Sequence, residues 1–501
     1  MSSQAPDKGS ARRLTAEAAV HRTDVARHRL PRVFGTTHLV MLGLGVMIGA
    51  GIFSLSGRQA ASQAGPAVIV SFVVAALVCL LAALSYAELS STIPAAGSVY
   101  TFTYVAVGEL WAWLVGWALV LELVVAAALV ARVWAAYLVA TVNSFGVPVP
   151  TWLGANAQVD EGTNWVGFAL VLLLALLVVT GTKLSARVLS AVVVAKVAVI
   201  VFVIVVGAML VDTRNYSPFV PPARPSEQAS ETVVQLVLGA GDSFGLMGIF
   251  TAASVIVFAF IGFDLIATAA EDARNPRHSI PRSMLLSLLV VTVLYVAMAT
   301  VMVGLRPYTE LGSDAPVSDA LAAAGATWAV RVVNLGALLA LTTVVMVVLI
   351  ALSRLLFAMG RDGLLPERLG QVSRSFSSPA PAAAAAGAAA AALALYPGLV
   401  DLEQLLVIGA LFAFLFCSVA VLVLRRTRPE LERGFRAPLV PLLPLLSVLA
   451  TMWLMVNLTV PTWRNFGLWM AVGLLVYLAF GRRRSVLARQ EPVQQGSHAR
   501  R

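Results

Sequence analysis

The sequence is poor in charged residues. Asp, Glu, Lys and Arg together make up 12% of its 501 residues, whereas 59% are hydrophobic. A typical soluble domain has about a quarter of its residues charged and about half apolar. Because a soluble fold has no interior large enough to bury this much apolar surface, we expect an all-α polytopic membrane protein.

Cysteine and histidine are also scarce, which argues against several kinds of chemistry. The two cysteines, Cys79 and Cys417, both lie in apolar segments, so a disulfide framework is not indicated. The five histidines lie outside the apolar segments except for His38, at the edge of the first one. No Gly-x-x-x-x-Gly-Lys-Ser/Thr motif for ATP occurs. We therefore expect neither an enzyme nor a bound cofactor or metal.

The apolar residues fall into twelve segments, and most of the positive charge lies between them. Each segment is near or above the roughly 20 residues that span a bilayer. Numbered 1 to 12, they run over about 34–56, 66–88, 98–130, 165–182, 185–211, 247–270, 283–304, 326–353, 380–397, 402–424, 438–459 and 463–481. If the N-terminus is cytoplasmic, the loops on that side hold 27 of the 35 Lys and Arg residues and the opposite side holds six. This positive-inside bias predicts a plasma-membrane protein with both termini in the cytoplasm, and it explains the net charge of +10 without nucleic acid.

Two of the segments are interrupted by glycine. Residues 43–51 of segment 1 include four glycines, each of which costs about 1 kcal/mol against alanine in a helix interior. Gly262 interrupts segment 6. Unwound backbone is tolerated at membrane depth only where it lines a cavity or is buried in protein. The glycines either let helices pack closely or, as we favour for the pair, mark two broken helices that face a binding site at the midplane.

The spacing of the two breaks predicts a repeat. Segment 6 is the fifth segment after segment 1. Because five is an odd number, two successive repeats of five helices insert into the membrane with opposite orientations, as in many secondary transporters. We therefore predict a basic tail over 1–32, a ten-helix transport core over 33–425, helices 11 and 12 over 426–481, and a basic tail over 482–501. The second tail is expected to be disordered and to contact anionic lipid.

An ordered set of short motifs resembles a known superfamily. The motifs are IGAGIF at 48–53, SYAEL at 85–89, PAAGSVY at 94–100, GEL at 108–110, GW at 116–117, FAFIGFD at 258–264, AEDARNP at 270–276 and RDGLLP at 361–366. In this order they resemble the amino acid–polyamine–organocation superfamily, and within it the cationic amino acid transporter family and its bacterial relatives. The resemblance implies a LeuT-like fold of twelve transmembrane helices, in which helices 1–5 and 6–10 form an inverted repeat and helices 1 and 6 are broken.

Together, the two breaks suit a zwitterionic amino acid. Free N–H groups and the positive helix end at the first break can bind a carboxylate, and free carbonyls at the second can bind an ammonium group. The resemblance assigns the carboxylate contacts to Gly49, Ala50 and Gly51, with Met47 and Ile48 adjacent, and the ammonium contacts to the carbonyls of Phe258, Ala259 and Ile261. It also implies that the ring of Phe258 covers the substrate; ordinary packing is the alternative.

Lys196 is the most informative single residue of the sequence. It lies near the centre of segment 5, roughly 18 Å from either end, too far for its side chain to reach the surface. An intramembrane lysine is costly and functional by default. The resemblance implies that its amine occupies the ion position of sodium-coupled relatives, bonds to the broken backbone of helix 1 and to Thr342 or Thr343 of helix 8, and couples transport to protons. A structural ammonium that caps carbonyls is the alternative.

Glu122 is a second ionisable residue inside the membrane, in segment 3. It could contact the side chain of a cationic substrate, take part in proton transfer, or pair with Arg132. The last is disfavoured because the two lie ten residues apart, nearly three turns of one helix. The family often has a polar residue in place of Ala118 and a tyrosine in place of Leu123. Both departures make the pocket more apolar and favour a neutral substrate.

The remaining carboxylates in the motifs have expected structural roles. Asp264 follows the second break and Glu88 ends segment 2, and we expect both to bond backbone or loop groups near the inner end of the core. We expect Glu271, Asp272 and Arg274 to form a solvated cytoplasmic cluster.

These observations predict a secondary active transporter that moves an amino acid across the membrane by proton-coupled symport without sodium. Cationic and neutral substrates both stay open. The alternatives are an amino acid exchanger and a non-transporting amino acid sensor on the same fold. The expected partners are the amino acid, protons and membrane lipids.

Overall fold

The computed structural model describes most of the chain. The described residues are 12–16, 18, 34–95, 97–147, 149–150, 163–181, 186–225, 231–238, 242–270, 273–313, 315–373, 375–376, 378–396 and 399–488. Most of the tail predicted over 1–32, residues 489–501 of the second tail, and Glu271 and Asp272 of the predicted cytoplasmic cluster lie outside the described residues.

Helices occur in all twelve apolar segments of the described chain. In order of segment they are Thr36–Met47 with Ser56–Gln59, Val68–Thr92, Ser98–Ala106 with Glu109–Ser144, Trp165–Val179, Ala186–Ala208, Gly245–Phe260 with Leu265–Thr268, Pro276–Leu305, Thr327–Arg361, Ala380–Ala394, Leu399–Thr427, Leu442–Val456 and Val460–Val476. Segments 1 and 12 also contain π-helical turns, and the short helices Val233–Leu238 and Pro316–Ala323 lie in loops. One antiparallel strand pair, Arg224–Pro225 with Asp242–Ser243, lies in the loop before segment 6.

The helices are long and apolar enough for a membrane protein. Among the described residues, eight helical stretches could cross a bilayer by length and composition, and the first of them, Thr36–Thr92, contains both segment 1 and segment 2. Three shorter apolar helices lie in segments 4, 9 and 11. The chain is therefore a nearly all-helical polytopic membrane protein, while the count of twelve spans and the inverted repeat stay predictions.

Segment 3 differs from its predicted bounds of 98–130. A short helix ends at Ala106, and a new helix of 36 residues runs from Glu109 to Ser144. Gly108 lies between the two helices and produces the bend. Its φ of 130° and ψ of 179° are accessible to glycine but not to residues with a Cβ. Gly108 and Glu109 interrupt the apolar run at this bend, but a single glycine and a single charge do not by themselves predict a helix break.

The predicted disorder of the second tail is wrong at its start. Ser485 is fully buried, and the amide of Val486 donates to the carbonyl oxygen of Asp362 at 3.1 Å. Ser485 and Val486 therefore pack against the end of segment 8. The basic side chains of Arg482, Arg483 and Arg484 are exposed, as their charge suggests, but the backbone that follows them is fixed to the core.

The packing places both interrupted segments in the interior. The helices of segments 1 and 6 contact segments 2, 5, 7, 8 and 10. The long helix of segment 3 packs against segments 8 and 10. Exposed apolar side chains, such as Leu77, Leu173 and Val293, lie instead on the outer surface. The breaks are thus enclosed by protein, the setting in which unwound backbone is tolerated.

Candidate functional site

The first helix is interrupted where the glycines predict it. The helix Thr36–Met47 ends with Ile48 at φ −74° and ψ 89°, and a π-helical turn begins at Gly51. The amides of Ile52 and Phe53 both approach the carbonyl oxygen of Gly49, at 3.3 and 3.4 Å. Since the first turn of any helix leaves N–H groups without intrahelical partners, the resumed helix offers donors at the break.

At two positions of the first break, close contact with other helices leaves room only for glycine. A Cβ added to Gly51 would lie 2.4 Å from both Cα and Cβ of Ala259, and one added to Gly49 would lie 2.9 Å from a methyl carbon of Val344. The structure therefore supports the close-packing interpretation at these two positions. This packing also brings the first break directly against the second.

The second break lies at Ile261 and Gly262. The helix Gly245–Phe260 ends with Ile261 at φ −60° and ψ 129°, and Gly262 has a φ of +133° that favours glycine. The amide of Gly262 donates to a carboxylate oxygen of Asp264 at 2.9 Å, which matches the structural role expected for that residue. The carbonyl oxygen of Phe258 accepts from the amide of Ile261 at 3.2 Å.

Tyr295 of segment 7 connects the two breaks and was missed by the sequence reasoning. Its hydroxyl forms hydrogen bonds with the carbonyl oxygens of Met47 and Ala259, the latter at 3.1 Å. A tyrosine near the middle of an apolar segment could have indicated such a contact, because a buried phenol usually has a hydrogen-bond partner.

Lys196 reaches the first break as predicted. The side chain is fully buried, and its Nζ donates to the carbonyl oxygens of Gly45 at 2.7 Å and Ile48 at 3.3 Å. Of the described residues, only these two are its hydrogen-bond partners. Thr342 and Thr343 donate instead to carbonyls of their own helix, at 2.7 Å and 2.8 Å. Hydroxyls in helices commonly bond back one turn, so their bond to Lys196 is not formed in this conformation.

Glu122 is buried without a hydrogen-bond partner. The residue is 1% exposed, and neither carboxyl oxygen has a partner within the part of the chain that the structure describes. Its neighbours in the helix, Ala118 and Leu123, are also buried. Arg132 donates to the carbonyl oxygen of Tyr396. Because a bare carboxylate in such surroundings costs several kcal/mol, this position suits a carboxyl that holds a proton or meets a positive group.

A small cavity lies beside the second break. Its volume is about 20 Å³, and its walls include Asp264 and Thr268 of segment 6, Leu119 and Leu123 of segment 3, and Ser98. This volume holds about one water molecule.

Ion pairs connect helices of the core at both ends of the helices. Arg58, on the resumed part of segment 1, pairs with Glu403 of segment 10, and both side chains are largely buried. Glu88 of segment 2 accepts two hydrogen bonds from Arg425, at 2.7 and 2.8 Å, and one from the amide of Ala437 at 2.8 Å. Arg433 lies 3.2 Å from the same carboxylate. Glu88 thus bonds loop and backbone groups, as expected.

Known proteins match almost the whole chain. A family model described as "Amino acid permease" matches residues 34–480. The branched-chain amino acid permease BcaP of Bacillus subtilis (strain 168) is 38% identical over 463 residues, which cover 91% of this chain and 95% of that protein. The methylthioribose transporter of the same organism is 39% identical over 460 residues, with 91% and 95% covered.

A human relative is also similar. Cationic amino acid transporter 4 of Homo sapiens is 34% identical over 401 residues, which cover 79% of this chain and 60% of that protein. The relatives named here are transporters rather than enzymes, which confirms the expectation that this chain is not an enzyme.

Proposed function

The chain belongs to the amino acid permease family, and from this premise we propose that it is a secondary active transporter that carries an amino acid past the two helix breaks together with protons. The amide groups around Met47, Ile48, Gly49, Ala50 and Gly51 bind the substrate carboxylate. The carbonyl groups of Phe258, Ala259 and Ile261 bind its ammonium group.

One observation carries the proton-coupled part of this proposal, the contact of Lys196 with the first break. Its amine donates to the carbonyls of Gly45 and Ile48, where the first half of the helix ends. A protonated amine offers three donors and a positive charge. Loss of the proton weakens its hold on these carbonyls and frees the first half of helix 1 to move.

The same geometry argues against a sodium requirement. A sodium ion at this place would need the carbonyl oxygens that the amine already uses, so one positive group replaces the other. When the amine leaves Ile48, the hydroxyls of Thr342 and Thr343 on segment 8 serve as its alternative acceptors. The coupling cannot exceed the difference in proton affinity between the two conformations.

The proposed substrate is a neutral amino acid with an apolar side chain. Ala118 and Leu123 are buried and apolar, and Glu122 between them meets no positive group among the described residues. A relative of 38% identity is named for branched-chain amino acids. The second candidate is a cationic amino acid, because the oxygens of Glu122 have unused acceptor capacity and another relative is named for cationic substrates.

The proposed location is the plasma membrane, with both termini in the cytoplasm. The charge bias of the loops supports this orientation. It places the Glu88 cluster on the inner side and the Arg58–Glu403 pair on the outer side, with the exposed apolar side chains in contact with lipid.

Uptake of labelled leucine into proteoliposomes tests the transport proposal. We expect accumulation that increases with an inward proton gradient and is the same in sodium-free and sodium-containing buffer. Strict sodium dependence would overturn proton coupling. Uptake that requires an amino acid inside the vesicle would identify an exchanger, and specific binding without uptake would identify a sensor.

Competition against labelled leucine tests the substrate class. We expect valine and isoleucine to compete and lysine and arginine to compete poorly. Methylthioribose is included because of the relative that carries its name. If lysine and arginine compete best, Glu122 binds the substrate side chain and the neutral assignment is wrong.

A further inference from the structure

The hydroxyl of Tyr295 contacts both helix breaks. We propose that Tyr295 is a positioning residue for the substrate: its hydroxyl fixes the two breaks relative to each other and sets the position of the Ala259 carbonyl that receives the ammonium group. This inference rests on the proposed function and adds a residue to it.

The first step is that the hydroxyl cannot easily move away. The side chain of Tyr295 is fully buried. Its ring packs edge-on against Phe72, with ring centroids 5.9 Å apart, and in a tilted arrangement against Phe260, with ring centroids 5.4 Å apart. Because the ring is fixed by these contacts, the hydroxyl oxygen is fixed as well.

The second step is that contacts on two sides of Ala259 hold its carbonyl group in position. Gly51 packs so closely on Ala259 that even a methyl group would not fit between them. On another side, the hydroxyl of Tyr295 lies 3.1 Å from the carbonyl oxygen of Ala259. The hydroxyl also bonds Met47, at the end of the first half of helix 1. Both breaks are thus tied to segment 7 through one atom.

The third step concerns the single hydrogen of the hydroxyl. It can be donated fully to one acceptor at a time, whereas a carbonyl oxygen has two acceptor sites. A second donor can therefore bind the carbonyl oxygen of Ala259 beside the hydroxyl of Tyr295. An ammonium group can supply that donor while Tyr295 remains bonded to Met47. The empty and occupied sites can therefore share one geometry, which is the condition for a pre-formed site.

Removal of the hydroxyl alone tests the proposal. Tyr295→Phe keeps the ring and its packing. Tyr137→Phe is the matched control, because Tyr137 is also fully buried and its hydroxyl donates to Phe53 of segment 1 at 2.8 Å, away from the second break. Both variants lose a buried hydroxyl, but only one loses a contact with the ammonium-binding carbonyl.

The diagnostic measurement compares leucine with 2-hydroxyisocaproate as competitors. The two compounds share the carboxylate and the side chain, but the second has a hydroxyl in place of the ammonium group. In Tyr295→Phe, we expect the preference for leucine over the analogue to fall about fivefold, as for the loss of one net hydrogen bond. The control should keep the wild-type preference. An equal loss for both compounds, or the same loss in the control, would show that Tyr295 only supports the fold.

Hydrogen exchange without substrate supplies a second readout. In Tyr295→Phe, amides at both breaks should exchange about fivefold faster than in the wild type. In Tyr137→Phe, faster exchange should be confined to segment 1. Unchanged exchange at the second break would overturn the bridge. Failure of the wild type to take up any amino acid would instead contradict the proposed function, and the exchange result would still decide the role of Tyr295.

Discussion

The two helix breaks are stabilised by different partners. At the first, the carbonyls of Gly45 and Ile48 accept from Lys196, a residue about 150 positions away on segment 5. At the second, the amide of Gly262 donates to Asp264, two residues further along the same break. One partner belongs to another helix and can lose its positive charge by releasing a proton. The other is part of the local turn.

This difference gives the breaks different roles in the proposed cycle. The first break changes its stabilisation when Lys196 changes charge, so the first half of helix 1 is the element that responds to protons. The second break keeps its shape through a short-range bond. It serves as the fixed half of the site, and Tyr295 connects it to Met47 at the end of the first half of helix 1.

The largest effect is expected from a change that separates the two breaks. Gly51→Leu should abolish uptake, because its Cβ would lie 2.4 Å from backbone and side-chain atoms of Ala259 and the helices would have to move apart. Gly467→Leu is the matched control, since a Cβ at Gly467 meets no atom within 4 Å. Uptake in proteoliposomes is the measurement, with elution in size-exclusion chromatography as the check on folding. Normal uptake by a folded Gly51→Leu protein would refute the close contact of the breaks as a requirement.

The next effect acts on the first break alone. Lys196→Ala should lose the stimulation of uptake by an inward proton gradient while it keeps weak binding, because the backbone contacts to the substrate remain. A stimulation of tenfold in the wild type would correspond to about 1.4 kcal/mol of coupling. The measurement is the ratio of uptake with and without the gradient in sodium-free buffer.

A control separates the charge of Lys196 from nearby hydroxyls. Thr343→Val removes one of the two hydroxyls proposed as alternative acceptors of the amine and leaves that of Thr342, so most of the proton response should remain. An unchanged response in Lys196→Ala would end the proposal that this residue couples protons to transport. Complete loss in Thr343→Val would instead show that Thr342 alone cannot serve as the alternative acceptor of the amine.

Local rules predicted the first break and the need of Lys196 for acceptors, whereas the family resemblance implied that these acceptors lie in helix 1. Clustered glycines weaken a helix wherever they occur, and a lysine in the middle of an apolar segment has to find acceptors. The bend at Gly108 and the bridge by Tyr295 could not be found in this way. The first depends on the backbone torsion of one glycine inside a predicted segment, and the second on which of several helices packs beside the breaks.

The smallest effect is expected at the second break. Asp264→Asn keeps an oxygen that can accept from the Gly262 amide, so uptake should stay within about twofold of the wild type and the proton response should persist. Asp264→Ala removes the acceptor and leaves a buried N–H unsatisfied, at a cost of about 1–3 kcal/mol. Uptake and thermal unfolding of both variants give the test. If the Asn variant behaves like the Ala variant, the charge of Asp264 is needed. Both breaks would then depend on an ionisable group. The proposed difference, in which the first break responds to protons and the second keeps its shape, would be wrong.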